Sequence, residues 1–318
     1  MAIVKLKPAY KDYIWGGNKL KEEYNKKYDG NSLAESWELS CHVDGSSIIA
    51  EGEYEGKTLN EDIEWEGKKK LGRNCAKFKD FPILIKFIDA KDNLSIQVHP
   101  DDEYAQQNEG QYGKTEMWYI VSCEEGAYLY YGFKEEIDKQ ELAKRIQENT
   151  LLEVLNKVPV KKGDVFFIEA GTIHAIGKGI VVAEIQQNSN ITYRVYDYGR
   201  VNEDGKQRNL NIEKALEVTN TNPIFRSESF APHLGVCKYF TVDKLVLDGK
   251  FMEKVSGKVN EDSFLHILVL EGTGKIQNHH QSVNFSKGDS IFVTASTGEY
   301  EIIGKCEVLL TTIPGSLD

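Results

Sequence analysis

What the chain lacks narrows it first. Its 318 residues hold only five cysteines, Cys41, Cys75, Cys123, Cys237 and Cys306, widely spaced and without a C-x-x-C pair. That argues against a disulfide framework or a cysteine zinc site and predicts reduced thiols in a cytoplasmic protein. Basic charge is in deficit: 39 Lys and Arg against 50 Asp and Glu leave a net charge of −11 at pH 7. A surface of that sign repels a phosphate backbone, so nucleic acid is not expected as a partner. A small phosphorylated ligand remains compatible, because one basic pocket can sit in an acidic protein. Long apolar runs are missing too. The most apolar stretches, FPILIKFIDA and FLHILVL, are far too short to span a bilayer, and MAIVKLKPAY lacks the apolar core of a signal peptide. No membrane partner is predicted.

What is present reads mainly as β-structure. PILIKFIDA, EMWYIV, AYLYYGF, VFFIEA, GIVVAEIQQ, FTVDKLVL, FLHILVL and EVLLTTI are rich in β-branched and aromatic residues. Helical spacing is confined to Glu135–Lys157, with shorter candidates at Asn18–Tyr28 and Pro100–Asn108. Many short strands with few helices predict a sandwich or barrel. A weak repeat supports two related β domains. KKGDVFFIEAGTIHAI (161–176) and SKGDSIFVTASTGEYEI (286–302) share a Lys-Gly-Asp turn followed by an apolar strand. Aligned on that turn, His174 falls opposite Glu299, so only the first copy carries the histidine. The expected seam lies in the turn-rich stretch 219–232, giving a metal-binding domain over 1–225 with a helical segment near 135–157, and a degenerate domain without metal over 226–318.

Polar residues stand where strands usually carry apolar ones. Ser95, Gln97 and His99 alternate, and so do Lys114, Glu116 and Trp118. Alternate residues share one face of a strand, so two neighbouring strands can line one cavity with these rows. His174 follows a Gly-Thr turn, Glu184 and Gln186 alternate on GIVVAEIQQ, and Arg194 sits in YRVYDYGR. His99, His174 and Glu116 suit zinc, or ferrous iron as a facial triad, and Gln97 can add a neutral fourth ligand. A divalent ion also explains a carboxylate inside a barrel, where an unpaired charge is costly. Lys114 and Arg194 suit a phosphate or a developing oxyanion. Plainer readings stand beside these. A lone histidine is more often a hydrogen-bonded core residue, Lys114 and Glu116 can form an exposed charge row, and Arg194 can stack on Tyr193 or Tyr196. His279 and His280 read as exposed loop residues. Gly272 and Gly274 read as a hairpin turn, since no helix follows to make a dinucleotide site.

LSIQVHPDD, GKTEMWYIV, AGTIHAIGKG and ITYRVYDYGR, in that order, resemble the signature segments of the type I phosphomannose isomerases, zinc-dependent enzymes of the cupin superfamily. DYIWGGNKL and AESWELSCH fit the resemblance as well, and the likeness is to the short bacterial members. It implies two cupin-type jelly-roll barrels with a small helical insertion, and interconversion of mannose 6-phosphate and fructose 6-phosphate. By the resemblance, Gln97, His99, Glu116 and His174 match zinc ligands, one ion per chain. Ser95 and Lys114 match the substrate pocket, and Glu184, Arg194 and Arg200 match further pocket residues. At Arg200 the larger members tend to carry Lys. The reaction needs a base near C1 and C2, for which Glu184, Lys114 and a hydroxide on the metal are the candidates. A metal-dependent oxygenase and a non-catalytic sugar-binding cupin are the competing readings. Gln97 argues against the first by filling a position that oxygen chemistry wants open, and the presence of Lys114, Glu184 and Arg194 argues against the second.

Overall fold

The computed structural model describes residues 3–202, 204–224 and 230–315. Its contacts divide the chain into two compact units. One comprises Met1–Lys11, Asn18–Phe87 and Ser229–Asp318, and the other Asp12–Gly17 and Ile88–Glu228. The expected boundary at 225/226 lies outside the described residues. The N-terminal segments join the C-terminal one because Ile3–Lys7 is a strand of the C-terminal sheet, with Ile3 opposite Val293 and Leu6 opposite Ser290. No local pattern announces a pairing between opposite ends of a chain.

Among the described residues, the unit that carries the polar rows has eight strands of its own. They are β1 (Ile96–Val98), β2 (Glu116–Cys123), β3 (Tyr128–Phe133), β4 (Leu155–Pro159), β5 (Val165–Ile168), β6 (His174–Ile176), β7 (Ile180–Gln187) and β8 (Tyr193–Tyr196). One antiparallel sheet runs β4-β3-β6-β1-β8, and β5-β2-β7 are consecutive in a second. The first sheet explains the alternation seen in the sequence. Its apolar row, Ile96, Val98, Tyr130, Ala175, Tyr193 and Val195, is buried with residues of three helices. These are α1 (Asp102–Asn108), α2 (Lys139–Gln147) and α3 (Ile212–Val218), contributing Ala105, Leu142 and Ala215. The other row, with Gln97 and His174 directly opposite each other, faces the second sheet. Side-chain contacts between the sheets fill the space between them, as in a jelly roll.

Helix limits follow local chemistry. The Asp101 carboxylate accepts from the Tyr104 amide, and Asp138 accepts from Glu141, capping α1 and α2. The helix expected over Glu135–Lys157 is shorter than its apolar spacing suggests. Asn149 adopts a left-handed φ of 61° and ends it, a 3₁₀ turn follows at Leu151–Glu153, and Leu155–Pro159 pairs with β3. Similarly, only Lys19–Glu23 of the Asn18–Tyr28 candidate is helical.

In the other unit a nine-stranded antiparallel sheet is built around two long strands, Leu265–Gln277 and Gly298–Thr312. The glycine pair expected at a hairpin lies inside the first of these. A Cβ on Gly272 would come within 2.0 Å of the Lys305 carbonyl, so glycine permits close strand approach beside a bulge rather than a turn. His279 and His280 are exposed, as expected.

The two Lys-Gly-Asp turns have the same geometry. Gly163 has φ 91° and Gly288 φ 90°. Asp164 accepts from the Lys161 amide as Asp289 does from Ser286. Gly163 donates to the Ile120 carbonyl and Gly288 to that of Val269, while Ile120 and Val269 each donate back to the aspartate carbonyl. Counting four residues back from Ile120 and Val269 puts Leu265 where the first copy has Glu116. The row of Leu265, Ile267 and Val269 belongs to the apolar core with Ile291 and Val293. His266 is on the opposite face of its strand, and the exposed Glu299 stands where the first copy has His174.

Candidate active site

Three strands converge at the centre of the β1–β8 unit. Gln97 lies on β1 and His99 just beyond it, Glu116 opens β2, and His174 opens β6. His99, Glu116 and His174 are 1%, 0% and 0% exposed. Their nitrogen and oxygen atoms lie within 4.8 Å of one another. His99 Nε2 is 3.3 Å from Glu116 Oε1, and His174 Nε2 is 3.8 Å from Glu116 Oε2. Gln97 joins them through its amide, 3.5 Å from His174 Nε2.

The outer nitrogens fix both imidazoles. His99 Nδ1 donates to the Ile191 carbonyl at 2.7 Å and His174 Nδ1 to that of Thr172 at 2.9 Å. Each Nε2 therefore presents a lone pair to the centre. Burial, then the neighbouring Lys114, depresses His99 to about 3, and burial depresses His174, so both rings are neutral at pH 7. Burial alone would raise Glu116, but the Lys114 ammonium beside it outweighs that and holds the carboxyl well below its usual range. Glu116 Oε2 is buried with no hydrogen-bond partner. Two imidazole lone pairs and an unsatisfied carboxylate oxygen facing one point suit a divalent cation. Gln97 fits as well, since turning its amide over presents Oε1 at the same place.

Charged groups surround this centre. Lys114 Nζ bonds Glu116 Oε1, lies 3.3 Å from His99 Nε2 and 3.9 Å from Glu184 Oε1. Glu184 is opposite Trp118 across β7 and β2, and its Oε2 accepts from Trp118 Nε1 at 2.8 Å. Trp118 also stands edge-on to His174, ring centres 5.2 Å apart. Ser95 Oγ donates to Gln97 Oε1 at 3.3 Å and accepts from Arg194 Nε at 3.1 Å. Seven of the residues expected at the site, Ser95, Gln97, His99, Lys114, Glu116, His174 and Glu184, therefore form one contact network, which Arg194 joins through Ser95. Arg200 is one step removed. It bonds the Asp197 carboxylate and donates to the Asn93 carbonyl at 2.5 Å. The sequence reading did not single out Asp197 or Arg208, which contact each other across a loop.

Residues 3–127 match the family described as phosphomannose isomerase type I, catalytic domain, and residues 232–313 match the mannose-6-phosphate isomerase cupin domain. Mannose-6-phosphate isomerase ManA of Bacillus subtilis (strain 168) is 37% identical over 317 residues, 96% of this chain and 97% of that protein. The chain belongs to the type I phosphomannose isomerases. A mannose-6-phosphate isomerase of Streptococcus mutans is 36% identical over 93% of both chains. Among solved phosphomannose isomerases, that of Bacillus subtilis superposes with a TM-score of 0.88 at 33% identity, covering 98% of this chain and 99% of its own. A more distant one, described as bound with zinc and yttrium, shares the fold at 18% identity, with a TM-score of 0.77 and coverage of 98% and 99%. Among the described residues no helix is long and apolar enough to cross a membrane.

Proposed function

We propose that this phosphomannose isomerase interconverts mannose 6-phosphate and fructose 6-phosphate with one zinc ion held by His99, His174, Glu116 and Gln97. The observation that carries the reading is the buried His99–Glu116–His174 group with an unsatisfied carboxylate oxygen, flanked by Lys114 and Glu184, in a chain of this family. The nitrogen and oxygen donors favour zinc. When bound, zinc would supply Lewis acidity that polarises oxygens of the sugar.

Isomerisation transfers a proton between C2 and C1 through an enediol-like intermediate. We assign the proton transfer to Glu184. Trp118 holds its Oε2, which leaves Oε1 toward Lys114. Lys114 and Arg194 supply positive charge for oxygens that become negative as the proton leaves. Arg194 keeps its charge through the cycle, since a guanidinium is not deprotonated in proteins. Ser95 touches two groups at once, accepting from Arg194 and meeting the Gln97 amide.

A coupled assay of mannose 6-phosphate turnover, with and without chelator, tests the proposal. Turnover that chelation abolishes and added zinc restores is expected. No turnover in zinc-loaded protein would overturn it.

A further inference from the structure

Arg208 lies outside the network described above, yet its surroundings have no structural need for so much positive charge. It donates to the Asp197 carboxylate through two atoms, Nε to Oδ2 at 2.8 Å and Nη2 to Oδ1 at 2.6 Å. A fork of that kind already satisfies one carboxylate. Arg200 nevertheless bonds the same Oδ1. Arg194 is next to them in the fold. Its Nη1 donates to the Asn209 carbonyl at 3.1 Å, and its own carbonyl accepts from the Asn211 amide at 2.7 Å. The segment carrying Arg208 thus runs along Arg194. The hydrogen bonds of the Arg194 guanidinium go to neutral acceptors, Ser95 Oγ and the Asn209 carbonyl.

Two guanidinium groups bonded to one carboxylate, with the Arg194 guanidinium close enough to feel their charge, leave two positive charges in excess. Partly buried cations in such a cluster repel one another unless an anion joins them. The effect on Arg194 is direct: burial first, then the charge of Arg208, depress it, with Arg200 acting the same way and Asp197 against. The excess charge matches a phosphate monoester, which carries about −1.5 to −2 at pH 7. Connection to the metal centre is short, through Arg194, Ser95, Gln97 and His174.

We propose that Arg208 recognises the phosphate of the sugar substrate together with Arg200, and that Asp197 is the strut holding the two side by side. The proposal rests on the isomerase reading for the identity of the sugar, but not for the anion. Guanidinium forks match phosphate oxygens, and the Asp197 strut orders two of them before the ligand arrives.

Inorganic phosphate is the probe, with its affinity measured by calorimetry on the zinc-loaded chain. Arg208→Ala should weaken phosphate binding by about tenfold to a hundredfold, the scale of one charge-assisted hydrogen bond pair. It should raise KM for mannose 6-phosphate by a similar factor, with kcat falling less than KM rises. Arg208→Lys should recover part of the affinity, because charge survives even though the fork to Asp197 does not. Unchanged phosphate affinity in Arg208→Ala overturns the proposal, and would mean that phosphate binds only at the metal. So would a loss that Lys does not relieve, or one accompanied by loss of zinc or a lower thermal midpoint, since those mark a purely structural arginine. Phosphate binding needs no turnover, so this result is separable from failure of the isomerase assay.

Discussion

Trp118 Nε1 donates to Glu184 Oε2 at 2.8 Å, from the residue directly opposite on the neighbouring strand. The pair is set by strand register, and both side chains are buried. The indole fixes how the Glu184 carboxylate is turned. Trp118→Phe keeps the ring and its edge-on contact with His174 but removes the donor. It should lower kcat about tenfold, the equivalent of 1.36 kcal/mol, which is within the range for one hydrogen bond to a charged group. Zinc content should stay the same. Steady-state kinetics with elemental analysis on the same sample checks both, and an unchanged kcat would remove the orienting role.

Glu184 Oε1 and Lys114 Nζ are 3.9 Å apart, so a test must separate the two as candidates for the proton transfer. Solvent hydrogen exchange separates them. If Glu184 moves the proton, Glu184→Gln should abolish exchange at C1 and C2 with substrate binding retained, while Lys114→Met slows exchange without abolishing it. Exchange that survives in Glu184→Gln and vanishes in Lys114→Met would transfer the role to Lys114. Arg194→Ala should keep zinc and lose about two to three orders of magnitude in turnover, the scale for a lost oxyanion donor.

The ligands differ in what their loss leaves behind. His99→Ala or His174→Ala removes a nitrogen whose outer side is already fixed by a backbone carbonyl, and should abolish both metal binding and activity. Gln97→Ala removes a neutral ligand and should weaken zinc binding less. Competition with a chelator of known affinity ranks the three variants. A Gln97 variant weaker than either histidine variant would contradict the assignment.

Much of the site was legible in the sequence because strand alternation has a period of two. Ser95, Gln97 and His99 share a face by that rule, and the apolar Ile96 and Val98 between them turn to the helices. The helices themselves were harder to bound. Apolar spacing continues past Asn149, so nothing in the hydrophobic pattern marks the left-handed residue that ends α2. The helix Leu59–Glu66 was missed although Thr58 and Glu61 form a capping box, because its few apolar residues give little periodicity. Asp197, Arg200 and Arg208 meet only through a loop, where spacing carries no information about contact. The strand Ile3–Lys7 pairs with Ser290–Val293, and such a long-range register is set by the whole fold.

His266 lies on the other face of its strand from the apolar core of Leu265, Ile267 and Val269. It is fully buried. Its Nε2 donates to Ser290 Oγ at 2.8 Å, and that hydroxyl donates to the Glu38 carbonyl at 2.8 Å. Its Nδ1 has no hydrogen-bond partner. Protonation would place an N–H there with nothing to accept it, and burial accordingly depresses the ring to about 3. The unfolded chain binds that proton near 6.5, so the stability His266 contributes is complete above 6.5 and is lost as pH falls toward 3. Between pH 7 and pH 5 the loss should be about 2 kcal/mol. His266→Gln keeps a donor for Ser290 and cannot titrate. Its urea midpoint should therefore fall less over that interval than the parent's, with zinc content unchanged. Equal acid sensitivity in the two proteins would show that His266 is not the group being protonated, and loss of zinc with His266 would mean that the C-terminal copy takes part in metal binding.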